Sequence, residues 1–440
     1  MASYADGTLD RIPPTLNPGE KEHVLVVQDE SIFHTNEYRR RSWLGQDQQP
    51  IRKKGHGRAI HVSDFISETI GRIRLSDDQI ADQLKLPDKQ RLPAFEARKI
   101  TYPGKGFDVW WDLPQLIDQI KITISIFDHT HPNSIAIFAF DRSSAHEGFA
   151  DNALNVNNMN INPGGKQRKL QDTVIPLNNP DPAPSEEDTR GQVQHMTFPD
   201  DHPDLGLRGK PKGIKVVLQK RKLVWDKYTT VCKERHTKLV GKCASCTKSQ
   251  TRKDAERRVA LAEATGENGI ATAEDIAVAD TEIPSTLDDE WCCMHRILAL
   301  QDDFRSEKPL VQSIIEDAGH VCLFLPRFHC ELNPIEMLWG YGKYRTHLSC
   351  ARDTRLSQIS DYRNQADGRF ATAKVLVPQC LDVCKLITIR RFFQKAWRYM
   401  DAYKKGLDAR QAAVAAKQYK SHRKIVLPAD IIASIPKGDV

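Results

Sequence analysis

Three acidic residues stand where carboxylates could share divalent ions. Asp29 follows the apolar, β-branched run HVLVVQ (His23–Gln28), and Asp141 follows SIAIFAF (Ser134–Phe140). Both runs have the length and composition of buried strands. Glu336 falls in the first turns of a helical stretch, Asn333–Tyr344, just after a strand-like piece, His320–Leu325. Acids at the ends of neighbouring strands can face one space, and a third can enter it from an adjoining helix. Hard ions such as Mg²⁺ or Mn²⁺ require this kind of oxygen-donor set. Two such ions can activate a water and stabilise the leaving 3′ oxygen of a phosphodiester. Taken singly, an Asp at a strand end is a turn former, and a Glu early in a helix offsets the helix dipole.

The cysteines suggest a second metal. Cys243-x-x-Cys246 is half of a tetrahedral zinc site. The other half has two candidates: Cys232 with His236, or the group Cys292, Cys293 and His295. Adjacent cysteines rarely fit one ion, so one of that pair together with His295 is the expected choice from the distal group. The other cysteines read as small apolar packing residues.

Two basic surfaces stand out. Arg39, Arg40, Arg41, Lys53, Lys54 and Arg58 cluster around the second and third predicted strands, beside Asp29, and are expected to meet phosphate backbones. The stretch Thr388–Lys420 interleaves cations with Phe393, Trp397 and Tyr403. At helical spacing, its aromatics read as core and its charges as a solvated face.

These residues need a scaffold. Strand-like pieces at His23–Gln28, Tyr38–Leu44 and Ala59–Ile66 form a meander, followed by a helix at Leu113–Phe127 and the strand Ser134–Phe140. A long polar, basic and then Ala/Glu-rich middle follows, before order returns at Trp291. The expected architecture is α/β, a mixed sheet flanked by helices. It carries a large insertion before the last core strand and a helical C-terminal extension. The expected boundaries are 1–22 for an N-terminal arm, 23–150 and 306–350 for the core, 151–305 for the insertion and 351–440 for the extension. The chain has 440 residues, 40% of them hydrophobic, a net charge of +6 and ten cysteines. That composition allows a sizeable core and is too poor in cysteine for a disulfide scaffold. There is no run of roughly 20 apolar residues, as a membrane helix needs. An intracellular protein with reduced thiols is expected.

The words around the acids resemble a known family. HVLVVQDESIF (His23–Phe33) and FAFDRSSAH (Phe138–His146) resemble the first two catalytic blocks of mariner-type transposases and their bacterial insertion-sequence relatives. CELNPIEMLWG (Cys330–Gly340) resembles the third and is the most specific. Further stretches, including RKKGHGRAIHVSDFI and IRRFFQKAWRYMDAYKKGLDARQAA, resemble a fungal group of DDE-endonuclease-domain proteins, so the likeness runs from about His23 to Lys424. It implies a ribonuclease H-like core, with Asp29, Asp141 and Glu336 as catalytic ligands of two Mg²⁺ or Mn²⁺ ions. His146 and Asn333 would support them. It also implies DNA as partner, a homodimer and action in the nucleus.

Three departures accompany the resemblance. Arg142 stands where the pattern usually has Asn, the distance from Asp141 to Glu336 is longer, and only 28 residues precede Asp29. The expected chain is therefore a catalytic region without a helix-turn-helix. It either cleaves and transfers DNA or is a catalytically inactive, transposon-derived nucleic-acid-binding protein.

Overall fold

The computed structural model describes residues 1–5, 7–37, 55–104, 106–143, 145–177, 188–248, 290–344 and 362–418. The chain divides into two compact units, Met1–Glu147 with Val311–Val440, and Gly148–Leu310. The second unit is close to the insertion expected at 151–305. The predicted strand Tyr38–Leu44 and the Ala/Glu-rich run Asp254–Asp289 lie outside the described residues.

The first unit holds a six-stranded mixed sheet. After two short strands, β1 (Ser3–Tyr4) and β2 (Arg11–Ile12), its members are β3 (Glu22–His34), β4 (Ala59–Ser67), β5 (Gly71–Arg72), β6 (Lys99–Thr101), β7 (Ser134–Phe140) and β10 (Val321–Phe324). The intervening β8 (Thr173–Val174) and β9 (Val193–Gln194) pair in the second unit. The sheet order is β10-β7-β3-β4-β5, with β6 also on β4. β10, β7 and β3 run parallel, while β4 is antiparallel to β3, β5 and β6. Val24 to Val27 are all buried, as a central strand covered on both faces requires.

β3 runs five residues beyond Asp29, although the apolar run stops at Gln28. The cause is β4, which pairs with β3 from Val26 through His34. β7 pairs only as far as Val27. Past that point β3 has a partner on one edge alone, and its acids sit beside the end of β7.

Helices cover both faces. The helix α2 (Leu113–Thr130) follows α1 (Asp77–Lys85) in the chain. An Asp112/Gln115 capping box and Pro114 start α2. Its Gln119 donates to the Ser63 carbonyl of β4 and to the Ala97 carbonyl ahead of β6, at 3.0 and 2.9 Å. The opposite face packs against the helix bearing Glu336. Ile335, Leu338 and Trp339 of that helix share a core with Leu25, Val27 and Phe33 of β3. The expected C-terminal helix Thr388–Lys420 is two helices, Leu386–Lys404 and Ala409–Gln418, broken at Gly406 with φ +79°. Phe393 is buried there, as its spacing predicts.

The second unit has its own core, with Val217, Leu218, Tyr228, Ile297 and Leu298 at its centre. Arg221 is fully buried and grips Asp303 by two bonds, 3.0 and 2.6 Å, with Gln194 on its Nε at 2.8 Å. Removing one partner strands the other charge, at about 3–5 kcal/mol. Arg221→Ala should therefore lower hydrogen-exchange protection across 214–234 by that amount. Unchanged protection would show that the pair is not anchoring this unit.

Candidate metal centre

Strand register brings Asp29 and Asp141 within electrostatic reach of each other. β3 and β7 pair in parallel from Glu22 with Ser134 to Val27 with Ala139. Continued two residues further, the same offset sets Asp29 level with Asp141. The 3₁₀ turn Cys330–Leu332 then leads into the helix Pro334–Tyr344, which brings Glu336 within electrostatic reach of both acids. Three bonds tie that helix and the residue before it to β3, one of them from Lys343. Asn333 Nδ2 donates to the Gln28 carbonyl at 3.1 Å, and Trp339 Nε1 donates to Asp29 Oδ2 at 3.1 Å. Pro334 at the first helical position suits a residue with no N–H to satisfy.

The carboxyls feel one another. Burial, then the charges of Glu336, Glu30 and Asp141, hold the Asp29 carboxyl well above its ordinary range. Burial and Asp141 also raise Glu336, which shares a hydrogen bond with Asp29. Lys343 lies within electrostatic reach of Glu336 and Asp29, but its Nζ donates to the Ile32 carbonyl at 2.7 Å. The Asp141 side chain is half exposed, so the group opens to solvent. Asp64, the cross-strand partner of Asp29, is bound by Arg72 Nε at 3.1 Å and belongs to a separate buried ion pair.

His146 is fully buried behind Asp141. Its Nδ1 lies 2.5 Å from Asp141 Oδ1, and its Nε2 lies 3.6 Å from Glu30 Oε1. Burial alone would depress this imidazole; Glu30 and Asp141 overcome that and lift it to about 10. Glu30 also accepts from Gln28 Nε2 at 2.8 Å and Trp111 Nε1 at 3.1 Å. Burial opposes its ionisation, but His146, His61 and Gln28 hold its carboxyl down at about 2. Ser143 N donates to Asp141 Oδ1 at 3.1 Å. Arg142 turns away from Asp141 and binds Glu147 at 3.0 Å.

The thiols converge more tightly. Among the described residues, only Cys243, Cys246, Cys292 and Cys293 form a group whose donor atoms all lie within 4.8 Å of one another, and this cluster could hold a metal ion. The other expected zinc ligands lie elsewhere. Cys232 packs in the apolar core with Tyr228. His236 sits in a turn with φ +53°. His295 Nε2 meets Asn157 Oδ1 at 3.0 Å. Cys292 and Cys293, expected to contribute only one ligand between them, both stand in this group. The chain turns through residues 290–292 just before the helix Met294–Ala299, and the Cys292 and Cys293 sulfurs come to 3.8 Å.

Of the predicted DNA-facing cations, Arg39, Arg40, Arg41, Lys53 and Lys54 lie outside the described residues. Arg58 sits between the rings of Phe107 and Phe370, 3.7 and 3.5 Å from their centroids. Its guanidinium face is thus engaged by cation–π contact.

Sequence reasoning missed Glu30, Trp111 and Trp339. The signal for Trp339 was its place three residues after Glu336, on the same helical face. Glu30 and Trp111 are 81 positions apart, and nothing in the sequence joins them. No helix among the described residues is long and apolar enough to cross a membrane. Comparison with protein-family models, curated proteins and solved structures finds no match.

Proposed function

We propose that the first unit is a ribonuclease H-like, metal-dependent DNA nuclease of the DDE transposase kind, which cleaves a phosphodiester and can pass the freed 3′ end to a new site. The observation carrying this reading is the shared register of Asp29 and Asp141 on parallel strands, with the helix of Glu336 tied to Asp29 through Trp339. The sheet order, parallel on one side of β3 and antiparallel on the other, supports the ribonuclease H-like assignment.

The donor set fits Mg²⁺ or Mn²⁺. All three groups are carboxylates, and burial and mutual repulsion raise two of them. A dication would relieve that repulsion. When bound, two ions would polarise the scissile phosphate and the attacking water. The chain's own residues then provide position. Trp339 and Asn333 fix the helix of Glu336 against β3. His146 holds the Asp141 carboxylate, and Glu30 keeps His146 protonated. In the reaction, water oxygen bonds to phosphorus, the bond from phosphorus to the 3′ oxygen breaks, and that oxygen leaves as a hydroxyl. DNA as partner, a homodimer and a nuclear site of action belong to the same reading.

Incubation of the chain with supercoiled DNA and Mn²⁺, beside Asp141→Ala, tests it. Nicking by the parent alone is expected; equal nicking by both would remove Asp141 from the chemistry. Trp339→Phe keeps the buried ring and deletes the donor to Asp29. Mn²⁺ affinity should fall about 10- to 100-fold, the usual effect of losing a group that orients a ligand. A calorimetric titration matching the parent would exclude that role.

A further inference from the structure

We infer that Cys243, Cys246, Cys292 and Cys293 bind one structural zinc ion as four thiolates, clipping together two stretches of the second unit. Sulfur separations are 3.7 Å for Cys243–Cys292 and 3.8 Å for Cys246–Cys292, Cys292–Cys293 and Cys246–Cys293. A tetrahedron of sulfurs about 2.3 Å from zinc has edges of about 3.8 Å. Four of the six edges therefore already have the length a zinc ion would impose, and the other two are under 4.8 Å.

The backbone holds these sulfurs in place. Met294 N donates to the Val240 carbonyl, and His295 N to the Gly241 carbonyl, both at 2.9 Å. Val240 is held in turn by Tyr228, whose hydroxyl accepts from its N–H at 3.0 Å and donates to its carbonyl at 3.2 Å. A Cβ at Gly241 would stand 2.6 Å from Ile161 Cδ1, so a side chain there would have to displace Ile161. Cys246 N–H points at Cys243 Sγ, 3.4 Å away, as a donor does toward a thiolate. Lys242 and Arg296 flank the cluster in sequence, where cations offset the two negative charges of a zinc tetrathiolate. Four soft thiolates select zinc over the hard ions that suit the carboxylates.

The consequence is a closed loop. Cys246 and Cys292 are 46 positions apart, and one ion would join them. A clip across so long a segment removes much of the freedom of the unfolded chain, and metal binding then contributes to folding directly. The site is independent of the nuclease reading and is tested without DNA.

The test is zinc-edge X-ray absorption on the full chain purified without chelators, together with metal analysis. One zinc per chain, with four sulfurs at about 2.3 Å and no nitrogen, is expected. His295→Ala, His236→Ala and Cys232→Ser should keep that zinc, while the double variant Cys243→Ser, Cys246→Ser should lose it. A nitrogen ligand, iron in place of zinc, disulfides in place of thiolates or no metal in the parent would each overturn the inference. The parent spectrum decides even if the double variant fails to fold.

Discussion

Asp29→Asn is expected to abolish Mn²⁺-dependent nicking while making the metal-free chain harder to melt. Losing a carboxylate that holds the ions should cost about 4 kcal/mol of transition-state stabilisation, or about 10³-fold in rate. The opposite effect on stability comes from the same repulsion. Asp29 and Glu336 are both raised above 3.8 and 4.5, the ordinary values for Asp and Glu. A carboxyl raised in the folded state keeps its proton to higher pH there than in the unfolded chain. Stability is then intact below the ordinary value and declines as pH rises toward the folded one. At neutral pH the metal-free parent carries that penalty. The Asn amide lacks the charge, can still accept from Trp339 Nε1 and can donate to Glu336, so no buried group is orphaned. Melting at neutral pH should rise by about 2–4 °C for each kcal/mol relieved. Scanning calorimetry with and without Mn²⁺ checks both arms. A variant that nicks DNA normally, or melts lower than the parent without metal, contradicts this account.

His146→Ala should be the most destabilising change near the centre. The imidazole is fully buried and bridges Asp141 and Glu30. Its removal leaves Glu30 ionised in an enclosed place with only Gln28 and Trp111 as hydrogen-bond donors, at about 3–5 kcal/mol. Its pH window differs from that of Asp29. His146 is raised to about 10, so its contribution is complete below the ordinary 6.5 and is lost as pH rises through about 10. The parent should thus lose stability in two stretches. The one at lower pH, beginning above the ordinary Asp value, should be flattened by Asp29→Asn, and the alkaline one by His146→Ala. Urea unfolding across pH separates them. A His146→Ala chain within about 0.5 kcal/mol of the parent, the range of ordinary surface substitutions, would show that the imidazole supports nothing.

Much of the scaffold was legible because its elements carry strong local patterns. Ser134–Phe140 appears with its predicted bounds, and α2 extends the predicted helix by three residues, through Thr130. Strand register was not legible. That Asp29 lies mid-strand follows from pairing with β4, a partner 35 positions away at Asp64. The thiol cluster shows the same limit. Cys243-x-x-Cys246 could be read from spacing, but the choice of Cys293 over His295 depends on a turn at 290–292 and on Asn157, 138 positions from His295. Arg58 looked like a phosphate contact because charge is visible in sequence, and the rings of Phe107 and Phe370 around it are not.

Asp29, Asp141 and Glu336 are proposed to form one divalent-ion site. The direct test is free Mn²⁺, measured by electron paramagnetic resonance during titration of the full chain. Two saturable Mn²⁺ ions per chain are expected, both lost when Asp29 and Asp141 are replaced together by Asn. Equal uptake by the parent and the double variant would contradict it.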